Sequence, residues 1–155
     1  VTGVPSGRGD LVDRAAIHDL VVAFYREVVF DELLEPVFGE VAEVDWAAHI
    51  PHLIDYWCRV LLSQPGYDGA IVRAHAHLHS IEPLRVDHFE RWYALWVASI
   101  DSRWAGPFAE RAKRHAALIG GVLSSRLLAV RWEPGPSATA TTATTIEERA
   151  EPTTG

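Results

Sequence analysis

The chain has 155 residues, 48% of them apolar, and a formal charge of −7, enough for one domain with a real core and too apolar for a disordered chain. The acidic balance, with Lys113 as the single lysine, argues against nucleic acid as a partner, because phosphate binding needs a basic surface. The longest apolar run, Ala116 to Leu123, falls far below the roughly 18 residues that span a bilayer, so no membrane partner is expected.

Residues 1–9 (VTGVPSGRG) read as a flexible arm ahead of a domain at 10–132. Ile17, Leu20, Val21, Phe24 and Val28 recur at helical spacing and predict a helix from about 10 to 30. Asp10 or Asp13 supplies a capping carboxylate for its start. Asp45 precedes Trp46, Ile50, Leu53, Trp57 and Leu61, a second helical stripe. Pro51 inside that stripe removes one backbone donor and is expected to bend or delay the helix. Cys58, the single cysteine, cannot form an internal disulfide, which fits a reducing compartment such as the cytoplasm. The cluster PGYDG at 65–69 ends the segment.

Next comes RAHAHLHS, residues 73–80. In a strand, His75, His77 and His79 would point one way and could share a metal. In a helix each residue turns by about 100°, so His75 and His79 share a face and His77 leaves it. Asp87 and Glu90 form a D-x-x-E start signal resembling a capping box. Phe89, Trp92, Trp96 and Ile100 follow on one face. Pro107 suits a first helical position, and Phe108, Ala112, Ala116, Ile119, Leu123 and Leu127 trace a last helix. Residues 133–155, rich in Thr, Ala, Pro and Glu, read as a disordered tail. The fold class is all-α, with four principal helices and long connections.

Three polar-tipped rings, Tyr25, His49 and Trp92, lie on or beside apolar stripes. Each is also compatible with a plain core or boundary role. An apolar cleft with a few convergent polar groups is the usual form of a cofactor site, and one histidine facing polar groups across a flat cofactor is how globins hold haem.

Four stretches carry a resemblance: FYREVVFDELLEPVF (24–38), VDWAAHIPHLIDYWCRVLL (44–62), GYDG followed by RAHAHL (66–78), and HFERWYALW (88–96). In order and spacing the chain resembles the group III (P class) truncated haemoglobins over roughly residues 11–130. The resemblance implies a shortened globin fold, two helix pairs sandwiching haem b. It implies that His75, eight positions after Tyr67, is the proximal ligand of the iron. It implies Tyr25, His49 and Trp92 as distal residues that stabilise a bound ligand. Phe38, Leu53 and Trp57 would line the haem. His52 would either reach a propionate or be exposed, and His79 would flank a propionate. His77, His88 and His115 are expected at the surface, with His79 beside them. The family usually has a proline where Ile71 stands.

The implied partners are O2, NO, CO or another small haem ligand, and a reductase for ferric iron. Oxidation of NO to nitrate with O2, or peroxide chemistry, is the turnover such a pocket would support. Two other readings stay open at this point. One is a non-haem all-α sensor or partner-binding module in which the aromatics and histidines are core. The other is a zinc enzyme using His75 and His79.

Overall fold

A computed structural model of the chain describes residues 7–41, 46–66 and 71–135. The expected arm and tail lie mostly outside these residues, as do Asp45 and Tyr67.

The first helix, α1, runs Arg14–Phe30 and buries Ile17, Leu20, Val21, Phe24, Tyr25 and Val28, the stripe that its periodicity predicts. Asp13 is its cap: Oδ1 accepts the Ala16 N–H at 2.8 Å. Asp10 caps a different helix, described below. A π-helical segment, Pro36–Val41, follows. Helix α2, Trp46–Leu62, passes through Pro51 without interruption. Ile54, Trp57, Cys58 and Leu61 are buried beyond the proline, and their packing outweighs the one donor that it lacks.

Helix α3, Ile71–Ile81, contains the histidine stretch. It raises the number of α-helices among the described residues to five, one more than the four principal helices expected. It buries no residue fully; Val72 and Leu78 lean on the core.

Helix α4, Val86–Arg103, starts two residues before the D-x-x-E signal implies. His88, not Glu90, completes the start, with its Nδ1 accepting the Arg85 N–H at 2.9 Å. Asp87 pairs with the Arg85 guanidinium, and Glu90 turns away to accept the Trp132 indole N–H at 2.6 Å. Helix α5, Pro107–Leu128, begins at the expected proline. Its N-cap is Gly106, which has no side chain, so Asp10 serves from a distance: its carboxylate accepts N–H groups from Phe108 (3.0 Å) and Ala109 (2.8 Å). Gly106 holds φ +131°, and a Cβ there would lie 2.5 Å from Asp10 Oδ2.

Helices α1 and α2 pack together, as do α4 and α5, and the pairs meet through α1 with α4 and α2 with α5. Helix α3 rests against α5. The core runs between the pairs, with Trp96 at its centre, its Nε1 donating to the Ala112 carbonyl at 3.2 Å. Gly9 is bridged to Trp104, and the Ala105 N–H bonds the Gly9 carbonyl at 3.0 Å. After α5 the chain folds back. Trp132 lies over Gly120 and Gly121 and against Phe89 and Tyr93.

Candidate cofactor site

The site is built from α1, the π-helical segment, α2, α3 and α4. Tyr25 is nearly enclosed, and its ring meets Trp46 at 5.1 Å, Phe38 at 5.9 Å and His49 at 6.0 Å between centroids. Phe38 stacks on Trp46. Four of the chain's aromatic rings thus converge where the π-helical segment passes between α1 and the start of α2. Burial pushes the Tyr25 hydroxyl well above its ordinary pKa, so it stays protonated. Its O–H has no hydrogen-bond partner among the described residues.

His49 is half-buried, and its pKa falls below the ordinary value, chiefly from burial and then from the charges of His52 and His75. The effect of His75 brings α2 and α3 within electrostatic reach of each other at this point. No hydrogen bond or ring contact joins the two imidazoles among the described residues.

His75 is half-buried on α3, and its Nδ1 lies 2.8 Å from the Ile71 carbonyl oxygen. A carbonyl only accepts, so Nδ1 carries the proton. Burial lowers the pKa of the ring, opposed by that bond, so the imidazole is neutral. A neutral ring protonated at Nδ1 has its lone pair on Nε2, and Nε2 has no partner among the described residues. The backbone carbonyl of Ile71 therefore orients His75.

Trp92 is half-buried on α4, with its ring against Phe24 at 6.4 Å, and Phe24 also meets Tyr25. Leu53 packs on the core beside His49. Trp57 lies farther along α2, stacked on Trp96 at 4.4 Å and edge-on to His115. It belongs to the packing between the helix pairs and makes no ring contact with the Tyr25 cluster among the described residues. His52 is exposed.

The histidine triplet is divided as the helix requires. His77 is exposed, and His79 turns to accept the Leu84 N–H at 2.9 Å, closing the α3–α4 turn. Two of the histidines expected at the surface are not there. His88 is buried as the start of α4 closes on it, and His115 is half-buried, its Nε2 in a hydrogen bond with the Tyr56 hydroxyl. Both lie beside residues distant in sequence or on an unpredicted cap, so helical spacing gave no signal of their burial.

Among the described residues no group of three or more His, Cys, Asp or Glu converges to hold a metal ion. An ion bound at His75 Nε2 would need its other ligands from a small molecule. A surface hollow of about 500 Å³ between Val12, Leu61, Phe108 and Arg111 is lined by none of these residues. No described helix is long and apolar enough to cross a membrane.

No protein-family model matches the chain. Group 3 truncated hemoglobin ctb of Campylobacter jejuni is 25% identical over 95 residues, which cover 59% of this chain and 72% of that protein. A crystal structure of group III truncated hemoglobin from Campylobacter jejuni aligns with a TM-score of 0.69 at 22% identity, over 77% of this chain and 94% of that one. The chain has the truncated globin fold, and in sequence and fold it is similar to the group III truncated haemoglobins.

Proposed function

We propose that the protein binds haem b through His75 and uses it to bind diatomic gases. The observation that carries this reading is the state of His75: a neutral imidazole with Nδ1 tied to the Ile71 carbonyl and a lone pair left on Nε2. The rest of the site fits such a group. Tyr25 carries a protonated hydroxyl with no protein acceptor among the described residues, and its ring meets that of His49 at 6.0 Å between centroids. Phe38 and Leu53 offer apolar surface for a large flat molecule, while Trp57, stacked on Trp96, supports them from the core; His52 and His79 are assigned to its polar edge.

When bound, haem supplies an iron centre for O2, NO or CO. The chain's own contribution is to hold that iron from α3, to shed water from the aromatic side, and to donate hydrogen bonds from Tyr25 and Trp92 to a polarised ligand. His49 joins them as a neutral ring. Such a donor-rich side suits turnover better than delivery, so we infer oxidation of NO with O2, or reduction of a hydroperoxide, in a cytoplasmic setting with a separate reductase.

Titration of the purified protein with hemin tests the reading. The expected outcome is an intense Soret band saturating at one haem per chain, with its form changed in His75→Ala. A stably folded protein that rejects hemin would contradict it, and would favour a module whose aromatics serve only as core.

A further inference from the structure

One polar cluster lies apart from the candidate cofactor site. Tyr56 on α2 and His115 on α5 are both half-buried, and the Tyr56 hydroxyl is 2.6 Å from His115 Nε2. Among the described tyrosines (25, 56 and 93), Tyr56 alone is hydrogen-bonded to a base. Its ring also abuts Trp57 at 5.4 Å, and Trp57 stacks on Trp96 at 4.4 Å. Trp96 meets Phe24 at 5.1 Å, and Phe24 meets Tyr25 at 4.8 Å and Trp92 at 6.4 Å. Touching rings thus run without a break from the candidate site to the Tyr56–His115 pair at the rim.

Indole and phenol are the side chains most easily oxidised by one electron within such a packed series. A phenol that loses an electron becomes a very strong acid, so the electron leaves readily only where the proton has a destination. The hydrogen bond to His115 supplies one without solvent. Burial lowers the His115 pKa, which keeps its ring neutral and able to take a proton.

We propose that Tyr56 is a redox-active tyrosine: it gives one electron through Trp57 toward the cofactor and its phenolic proton to His115, and so moves oxidising equivalents from the site to the rim. The inference rests on the haem reading with a hydroperoxide as the oxidant. The hydroperoxide takes two electrons and two protons, its O–O bond breaks, and it leaves as an alcohol, or water in the case of hydrogen peroxide, plus water. Each electron is drawn from Tyr56 in turn. A small one-electron donor at the rim, such as a phenol or thiol, returns each electron to the tyrosyl radical, His115 returns the proton, and the donor releases its own proton. Two donors are oxidised per hydroperoxide consumed.

The test is freeze-quench electron paramagnetic resonance of the haem-loaded protein mixed with hydrogen peroxide. A tyrosyl signal is expected in the wild type and is lost in Tyr56→Phe, whose Soret band is unchanged. His115→Gln, which keeps an acceptor but no base, loses it as well. The same tyrosyl signal in Tyr56→Phe, or no tyrosyl signal in wild type with an intact Soret band, overturns the relay while leaving haem binding standing. Should the protein take up no hemin, the haem reading fails separately. Pulse radiolysis of the protein as purified, with azidyl radicals that oxidise tryptophan, then decides the relay. Transfer from tryptophan radical to tyrosine is expected in wild type and lost in Tyr56→Phe; equal transfer in both overturns it.

Discussion

The Tyr25 hydroxyl sits on an enclosed ring, stays protonated through burial, and has no acceptor among the described residues. A protonated hydroxyl that spends its donor on no protein group is available to bond an incoming ligand. A hydrogen bond to a charged or strongly polarised acceptor contributes about 1.5–3 kcal/mol, and each ~1.4 kcal/mol is tenfold. On the haem reading, Tyr25→Phe should therefore raise the O2 dissociation rate by roughly ten- to a hundredfold in stopped-flow displacement. An unchanged rate would remove Tyr25 from that role. Three of the four converging rings, Tyr25, Phe38 and His49, were named through the motifs, whereas Trp46 read only as part of an apolar stripe and the meeting of the four was not visible. It depends on a π-helical segment, Pro36–Val41, that has no apolar period to announce it.

At the scale of the helices, long-range capping decides stability. Among the described residues the Asp10 carboxylate accepts from Leu11, Phe108 and Ala109, whereas the Asp13 carboxylate accepts only from Ala16 within its own helix. Loss of an N-cap costs about 0.5–2 kcal/mol. Asp10→Ala should fall at the upper end of that range and Asp13→Ala at the lower, as read by urea denaturation. Equal costs would mean that the tie from Asp10 to α5 contributes little. Helices α1, α2, α4 and α5 were legible because each carries an apolar stripe and a start signal. The start of α4 was misplaced because a histidine, His88, took the role that spacing assigned to a carboxylate.

The fold-back of Trp132 gives a second test at this scale. A Cβ on Gly120 would lie 2.6 Å from the Trp132 ring. Gly120→Ala should destabilise the wild type. In a Trp132→Ala background, itself costing about 3–5 kcal/mol, the same change should stabilise by up to about 1 kcal/mol through helix propensity. Additivity in this double-mutant cycle would contradict the contact. Nothing in local sequence marks this contact, because Gly120–Gly121 reads simply as part of an apolar run and Trp132 as its trailing edge.

For the molecule as a whole, four histidines, His49, His75, His88 and His115, have pKa values pushed below the ordinary 6.5 by burial. Unfolding releases them to their ordinary values, so below about pH 6.5 the unfolded chain binds more protons than the folded one. Stability of the unloaded protein is thus full above that pH and is lost as pH falls toward the depressed folded values. The urea midpoint should be lower at about pH 5.5 than at about pH 7.5; a flat profile would mean that these rings are open to water.

The all-α class was readable from the apolar period, and the shortened globin architecture only through the resemblance that the four motifs carry. The buried His88, the half-buried His115, the Asp10 cap and the Trp132 latch were not, since each joins residues far apart in the chain or depends on a cap geometry that spacing does not encode. The same holds for the central claim, that Nε2 of His75 is left as a ligand by the bond from Nδ1 to Ile71. Sequence names the residue, and only packing sets its tautomer. Resonance Raman spectroscopy of the ferrous, haem-loaded protein tests that claim most directly. An iron–histidine stretching band is expected that disappears in His75→Gly, persists in His49→Gly, and returns to the His75→Gly protein when imidazole is added. A band that survives in His75→Gly, or is lost in His49→Gly, would contradict it.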